Sequence, residues 1–232
     1  ILVKLSGESL AGQGKEGIIE SEALLNSAKV IKQLADNGSQ VAVVIGAGNI
    51  CRGSVIENSG IERVSGDYMG MLGTVINCIA LKEALVKIGQ KAVVLSAVDV
   101  TFVETYSPEL ADKYLKEKYV VMLGAGTGKP FYTTDTCAAL RAIEIKADAI
   151  LMGKNGVDGI YSDDPRFNKD AKLYKEITCS EILDKNLKVM DLSAVELIKE
   201  KYVDVRVFNA NKAENFLKAA NGEDIGTVIK RG

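Results

Sequence analysis

The sequence contains no histidine among its 232 residues, and this removes a whole group of reaction mechanisms. Ser-His-Asp and Cys-His catalysis both need an imidazole as general base, and the common histidine metal motifs need one as a ligand. Any chemistry must therefore rest on Lys, Arg, Asp, Glu, hydroxyl groups or backbone amides.

The sequence also lacks paired cysteines, long apolar runs and excess positive charge. Its four cysteines lie far apart and form no CxxC pair, so neither a zinc site nor a disulfide framework is indicated. Unpaired thiols are typical of cytoplasmic proteins, and we expect that location here. No apolar run approaches the roughly 18 residues of a membrane span. The net charge of -2 gives no reason to expect a nucleic-acid partner.

Short apolar runs alternate with segments of helical spacing along most of the chain. The runs that read as strands are 1–5, 41–46, 91–95, 119–124, 148–153, 205–209 and 226–230. The spacing predicts helices over 21–36, 67–87, 135–147 and about 212–221, and two short helices after capping boxes at Thr178 and Ser193. This alternation predicts an α/β fold with a largely parallel central sheet and helices on both faces.

Ligands of parallel sheets bind at the carboxyl ends of the strands, so the loops that follow strands matter most. In "KLSGES" Lys4 could reach a phosphate while the amides around Gly7 approach it closely. In "IGAGNICRG" Cys51 replaces the last glycine of a dinucleotide fingerprint, which leaves a glycine turn followed by Arg52. Both segments could equally be ordinary strand ends. Asp67, in "VSGDYMGMLG", could cap a helix or bind sugar hydroxyls.

The stretch "GAGTGKPFYTTDT", residues 124–136, combines three glycines with four threonines where a strand should lead into a helix. Its glycines allow tight turns, Phe131 and Tyr132 could shape a pocket for a flat base, and Asp135 begins a helix whose N-terminus favours anions. Capping needs only one residue, so a binding function is favoured. In "KNGVDGIYSDDP" Asn155, Tyr161 and Asp164 could form a nucleotide platform or simply a solvated turn.

Taken together, these loops resemble the amino acid kinase superfamily and, within it, the bacterial UMP kinases. The resemblance covers essentially the whole chain. It rests on six motifs in order, which are "KLSGE" (4–8), "GAGNICRG" (46–53), "RVSGDYMGML" (63–72), "GTGKPFYTTDT" (126–136), "VDGIYSDDP" (157–165) and "LKVMDLSA" (187–194).

The resemblance implies phosphoryl transfer from ATP to UMP with Mg²⁺, within pyrimidine nucleotide biosynthesis. It implies one domain over 1–232, with an acceptor half of about 1–150 and an ATP half of about 151–232. The implied ATP-binding residues are Lys4, Leu5, Ser6, Gly7, Gly48, Arg52, Asn155, Tyr161 and Asp164. The implied UMP-binding residues are Ala47, Asp67, Thr127, Gly128, Lys129, Pro130, Phe131, Tyr132, Thr133 and Thr134.

Lys4, Arg52 and Asp135 are the expected catalytic residues, with the two cations on the phosphates and Asp135 orienting a lysine or magnesium. The resemblance also implies a homohexamer that GTP activates and UTP inhibits. The sequence departs from the family pattern at Ala47, Cys51 and Lys129. The segment 12–17, where GTP activation is placed in some relatives, differs in length.

Three other readings of the sequence stay open at this point. One is a superfamily member that phosphorylates a carboxylate or carbamate such as acetylglutamate. Another is a non-catalytic nucleotide sensor on the same fold. A Rossmann dehydrogenase is disfavoured because the dinucleotide fingerprint fails at Cys51.

Overall fold

The computed structural model describes residues 1–11, 17–51, 58–187, 189–201 and 203–231. The chain forms two compact units. We call Leu5–Cys137 the N-terminal unit, and Ile1–Lys4 together with Ala138–Gly232 the C-terminal unit. The sequence-based division into halves near residue 150 stays a prediction.

The strands and helices follow each other along the chain as the alternating pattern predicts. The strands are β1 (Leu2–Leu5), β2 (Ala42–Ile45), β3 (Ala92–Ser96), β4 (Glu104–Thr105), β5 (Val120–Gly124), β6 (Ala149–Lys154), β7 (Glu176–Thr178), β8 (Asp204–Asn209) and β9 (Thr227–Lys230). The α-helices are α1 (Ser21–Asp36), α2 (Arg63–Lys87), α3 (Pro108–Lys116), α4 (Thr134–Glu144), α5 (Cys179–Asp184), α6 (Leu192–Lys201) and α7 (Glu214–Ala220), and Gly7–Leu10 is a 3₁₀ helix.

The N-terminal unit is built on parallel strands in the order β4-β3-β5-β2. Every residue of β2 and β5 is buried, as expected for parallel strands that are covered on both faces. Because parallel strands all end at the same edge, the loops after β2 and β5 leave the sheet side by side. These are the loops that carry the glycine turn and the threonine-rich stretch.

In the C-terminal unit the strand order is β1-β6-β8-β9-β7. The β1–β6, β6–β8 and β7–β9 pairs are parallel, and only β8–β9 is antiparallel. Lys4 is paired in register with Met152, so β1 and β6 end at the same edge. The chain after Lys4 and the chain after β6 therefore leave this edge together.

The two predicted capping boxes have different outcomes. Thr178 caps α5 as predicted, because its hydroxyl accepts the backbone N–H of Glu181 while the Glu181 carboxylate accepts the N–H of Thr178. The prediction of a capping box at Ser193 is wrong. Helix α6 begins one residue earlier, at Leu192, and the carboxylate of Asp191 accepts the N–H of Ala194 at 2.9 Å. Asp191 therefore caps the start of α6.

Helix α2 begins at Arg63, four residues before the predicted start at Asp67, so Asp67 is not its cap. By length and composition α2 could cross a membrane, a feature that a search for unbroken apolar runs does not detect. In the N-terminal unit it packs against β3, β5 and α1 instead. It also buries the polar side chains of Thr74 and Asn77. These contacts identify α2 as the core helix of this unit.

Candidate active site

The N-terminal unit contains a cavity of about 650 Å³, within the size range of small-molecule sites. Three segments contribute its walls, namely the loop after β2, the first half of α2, and the chain from the loop after β5 into α4. The lining residues are Val44, Ile45, Ala47, Gly48, Cys51, Ile61, Arg63, Gly66, Asp67, Gly70, Met71, Thr74, Gly126, Thr127, Lys129, Tyr132, Thr133, Thr134 and Cys137.

Most of the residues that the sequence suggested for the acceptor line this cavity together. They are Ala47, Asp67, Thr127, Lys129, Tyr132, Thr133 and Thr134. Gly128, Pro130 and Phe131 belong to the same loop but are not among the lining residues. The side chain of Phe131 is 64% exposed. Gly48, which the sequence suggested for ATP, also lines the cavity. The cavity has both signs of charge, with the cations Arg63 and Lys129 and the carboxylate of Asp67.

The glycine turn after β2 lies in tight contact with the start of the 3₁₀ helix. A Cβ atom on Gly7 would collide with Asn49 Oδ1 and Gly46 O, and would lie 2.9 Å from Gly48 N. Only glycine therefore permits this approach of the two backbones. Two of the predicted ATP-binding residues, Gly7 and Gly48, are thus neighbours in the N-terminal unit.

Two side-chain amides, those of buried Asn77 and half-buried Asn49, also hold the glycine turn. The side-chain amide of Asn77, which is fully buried in α2, donates to Gly46 O at 2.8 Å and to Asn49 Oδ1 at 2.8 Å. Asn49 in turn donates to Asn77 Oδ1 at 3.0 Å and to Ile18 O at 2.6 Å. Sequence reasoning missed Asn77, although an amide on the apolar face of a long helix is a signal that a partner is needed.

Asp67 is held by two partners at the wall of the cavity. Its carboxylate accepts the Arg63 Nε–H at 3.0 and 3.1 Å, and Oδ2 also accepts the backbone N–H of Phe131 at 2.7 Å. Arg63 was not predicted as a site residue, although it precedes Asp67 by four residues, the spacing of facing side chains on a helix. These contacts fix the orientation of the Asp67 carboxylate.

The threonines of residues 127–134 have local partners as well as a place in the cavity wall. The Thr133 hydroxyl accepts the N–H groups of Asp135 at 3.1 Å and Thr136 at 3.3 Å, which caps the start of α4. The Thr127 hydroxyl accepts the Lys129 N–H and donates to Lys129 O, at 3.3 and 3.2 Å. Capping and cavity lining therefore coexist in this loop.

Asp135 is the second residue of α4, and its Oδ1 oxygen is buried. Within the described ranges, no three Asp, Glu or Cys side chains come together as a metal site. Magnesium in kinases is usually held by one or two carboxylates, by water and by the phosphates of the substrate, so a ready-made cluster is not required. A single carboxylate such as that of Asp135 is therefore enough for this mode of binding.

Of the other residues suggested for ATP, Leu5 and Ser6 lie in the N-terminal unit, whereas Lys4, Asn155, Tyr161 and Asp164 lie in the C-terminal unit. Arg52 falls outside the described residues. Lys4 lies in β1, and Asn155 directly follows β6, the strand paired with β1. Tyr161 forms an isolated bridge with Leu173. Asp164 accepts hydrogen bonds from the Nε–H and Nη2–H groups of Arg166, at 3.0 and 2.7 Å, and from its backbone N–H, and together these lower the pKa of the Asp164 carboxyl group to about 2.

Comparison with known proteins places these loops in a family, since residues 1–209 match the amino acid kinase family. The chain belongs to this family. It is 47% identical to the uridylate kinase of Oenococcus oeni, over 99% of this chain and 96% of that protein. It is 43% identical to the uridylate kinase of Cutibacterium acnes, over 100% of this chain and 97% of that protein.

Solved structures confirm the fold class of this amino acid kinase. The UMP kinase of Bacillus anthracis superposes with a TM-score of 0.96 at 37% identity, over 99% of this chain and 95% of that one. The UMP kinase of Ureaplasma parvum gives a TM-score of 0.93, also at 37% identity, over 99% and 97% of the two chains. The predicted α/β fold with a largely parallel sheet is therefore correct.

The contact at Gly7 gives a direct test of the glycine turn in this amino acid kinase. We expect Gly7→Ala to lower the free energy of unfolding by about 1–3 kcal/mol, because the added methyl group overlaps backbone atoms that cannot move easily. Gly70→Ala is the matched control, because a Cβ there has no neighbour within 4 Å. This control should stabilise α2 by up to about 1 kcal/mol. Equal urea midpoints for Gly7→Ala and the wild type would contradict the contact.

Proposed function

We propose that this chain is a UMP kinase that transfers the terminal phosphoryl group of ATP to UMP, giving UDP and ADP, in the cytoplasm. The observation that carries the proposal is the composition of the cavity wall. Its three segments are the ones whose sequences resemble the acceptor and phosphate motifs of UMP kinases. Full-length identity of 43–47% to uridylate kinases supports the same reaction.

The acceptor nucleotide would occupy the cavity of the N-terminal unit. A volume of about 650 Å³ suits a mononucleotide. Asp67 is proposed to accept hydrogen bonds from the ribose hydroxyls, and residues 127–134 to surround the nucleotide. Lys129 and the backbone around Ala47 and Gly48 would attract its phosphate.

The residues proposed to contact ATP are Lys4, Leu5, Ser6, Gly7, Gly48, Arg52, Asn155, Tyr161 and Asp164. Lys4 and Arg52 would offset the negative charge that spreads over the transferring group. Positioning and electrostatic stabilisation make up most of what phosphoryl transfer requires.

The reaction needs no strong general base, which agrees with the lack of histidine. The second pKa of a phosphate monoester is about 6, so UMP is largely a dianion near neutral pH. One of its oxygens attacks the γ-phosphorus of ATP as the bond from that phosphorus to the β-phosphate oxygen breaks. The electron pair of the broken bond stays on ADP, and no proton has to be removed from UMP.

Magnesium is the proposed cofactor, carried in with ATP. We propose that the carboxylate of Asp135 faces the magnesium ion or orients a lysine side chain. When bound, the ion would neutralise negative charge on the β- and γ-phosphate oxygens.

The substrate and the role of Lys4 can be tested in one assay of ADP release with ATP and Mg²⁺. We expect turnover with UMP to exceed that with CMP, dUMP and acetylglutamate. Lys4→Met should lower kcat by about 100-fold or more, because it removes a charge aimed at the transition state. Lys29→Met, an exposed lysine on α1, is the control and should retain wild-type turnover.

Two outcomes of this assay would count against the proposal. Turnover with acetylglutamate rather than UMP would favour a carboxylate kinase. A folded protein that binds nucleotide and turns over none of the four would favour a nucleotide sensor.

A homohexamer is proposed as the assembly, and the exposed face of α2 supports an interface between copies. Val64, Tyr68, Leu72 and Ile76 recur every four residues and are 37–54% exposed. An apolar stripe of this kind on a helix indicates a surface for association. Activation by GTP and inhibition by UTP are proposals that rest on the family likeness, and residues 12–16 of the segment in question lie outside the described ranges.

Substitution within this stripe tests the assembly. We expect Leu72→Glu to convert the oligomer into smaller species in size-exclusion chromatography with light scattering, because a buried unpaired charge disfavours the interface. Lys29→Glu changes charge on α1 instead and should leave the mass unchanged. A monomeric wild type, or an unchanged mass for Leu72→Glu, would refute the proposed interface.

A further inference from the structure

The loop between β5 and α4 has a strained backbone. Ala125 (φ 61°), Gly126 (φ 58°), Gly128 (φ 78°) and Phe131 (φ 74°) all lie in the left-handed region. The two glycines adopt this conformation without steric cost, whereas Ala125 and Phe131 do not. Strained non-glycine residues persist only where their surroundings hold them, and they concentrate at functional sites.

The N–H group of each strained non-glycine residue is held by a side chain of α2. Ala125 N–H donates to Thr74 Oγ1 at 2.8 Å, and Phe131 N–H donates to Asp67 Oδ2 at 2.7 Å. Residues 67 and 74 are two helical turns apart, so they lie on one face of α2, about 10 Å apart along its axis. The helix therefore holds the loop at both ends of its strained part.

The segment between these two points contributes to the cavity. Gly126, Thr127 and Lys129 lie between Ala125 and Phe131, and all three line the cavity wall. A Cβ on Gly128 would lie 2.8 Å from Ala97 O, so the middle of the segment is also closely packed. The position of the cavity-lining residues thus depends on the two hydrogen bonds that bracket them.

Thr74 is suited to hold the loop because its hydroxyl both donates and accepts a hydrogen bond. It donates to Met71 O at 2.7 Å and accepts from Ala125 N–H, so its orientation is fixed. Thr74 and Ala125 are both buried. A valine in place of Thr74 would keep the shape but leave the Ala125 N–H buried without that acceptor, which is costly.

We propose that Thr74 is a positioning residue for UMP, acting through Ala125, and that it shares this task with Asp67. The identity of the ligand, UMP, depends on the proposed function. The role of Thr74 in holding the loop depends on the geometry alone. Thr74 holds residues 125–131 in the conformation that UMP requires, and Asp67 holds the same segment at Phe131.

The test compares Thr74→Val with Thr74→Ser and Leu85→Val. Thr74→Ser keeps the hydroxyl and should restore wild-type behaviour. Leu85→Val trims a fully buried side chain of the same helix, eleven residues further on, and so controls for a general loss of stability. Steady-state kinetics for UMP and ATP would be measured, together with amide hydrogen exchange of residues 124–131.

We expect Thr74→Val to raise the KM for UMP about 10-fold or more and to leave the KM for ATP within about 2-fold. Amide exchange over 124–131 should accelerate in Thr74→Val, and should do so without added nucleotide. Thr74→Ser and Leu85→Val should keep the wild-type KM for UMP and the wild-type exchange in this segment.

Wild-type values of the UMP KM and of loop exchange in Thr74→Val would overturn the inference. An equal change in Leu85→Val would also overturn it, because the effect would then be one of general stability. If the wild-type protein does not phosphorylate UMP, the proposed function fails. The exchange comparison then still decides whether Thr74 holds the loop.

Discussion

The candidate site depends on three polar side chains that project from the core helix α2. Asp67, Thr74 and Asn77 of α2 each satisfy backbone groups of a neighbouring loop, namely Phe131 N–H, Ala125 N–H and Gly46 O. Buried polar groups are costly unless they are paired, so the Thr74 and Asn77 bonds tie the loop conformation to the stability of the core. The cavity wall is thereby fixed by the same packing that folds the unit.

This arrangement suits a reaction that needs position and charge more than proton transfer. A chain without histidine can still transfer phosphoryl groups, because backbone amides, lysine and arginine supply the stabilisation. Such groups stabilise the transition state effectively only if they are in place before the reaction, because moving them into place would cost free energy. Around the cavity, the close backbone contact at Gly7 and the hydrogen bonds from α2 to the loop after β5 hold such groups in place.

The sequence predicted the elements that follow local rules and missed the contacts between distant residues. Short stretches of sequence determine the buried strands β2 and β5 and the capping box at Thr178. All three were predicted correctly. The start of α2 was missed because its first residues carry no side-chain cap. Helix α3 was not predicted either, although Ser107 followed by Pro108 is a recognisable start signal.

Resemblance suggested which residues to propose for the acceptor, but it could not give the hydrogen-bond partners that hold them. Thr74 and Ala125 are 51 residues apart, and Asn77 and Gly46 are 31 residues apart. No periodicity links such pairs. The Ser193 box failed for a related reason, because Asp191 was a competing cap that the pattern alone could not rank.

The central claim, that the cavity of the N-terminal unit receives UMP, can be tested through Cys51. Cys51 lines the cavity and is partly exposed, whereas Cys78, Cys137 and Cys179 are buried. Burial also raises the pKa of the Cys78 and Cys179 thiols, which lowers their reactivity. The measurement is the rate of Cys51 alkylation by iodoacetamide with and without UMP, read by mass spectrometry. Our account predicts that UMP slows alkylation and that AMP at the same concentration does not; equal rates under conditions where UMP is turned over would contradict it.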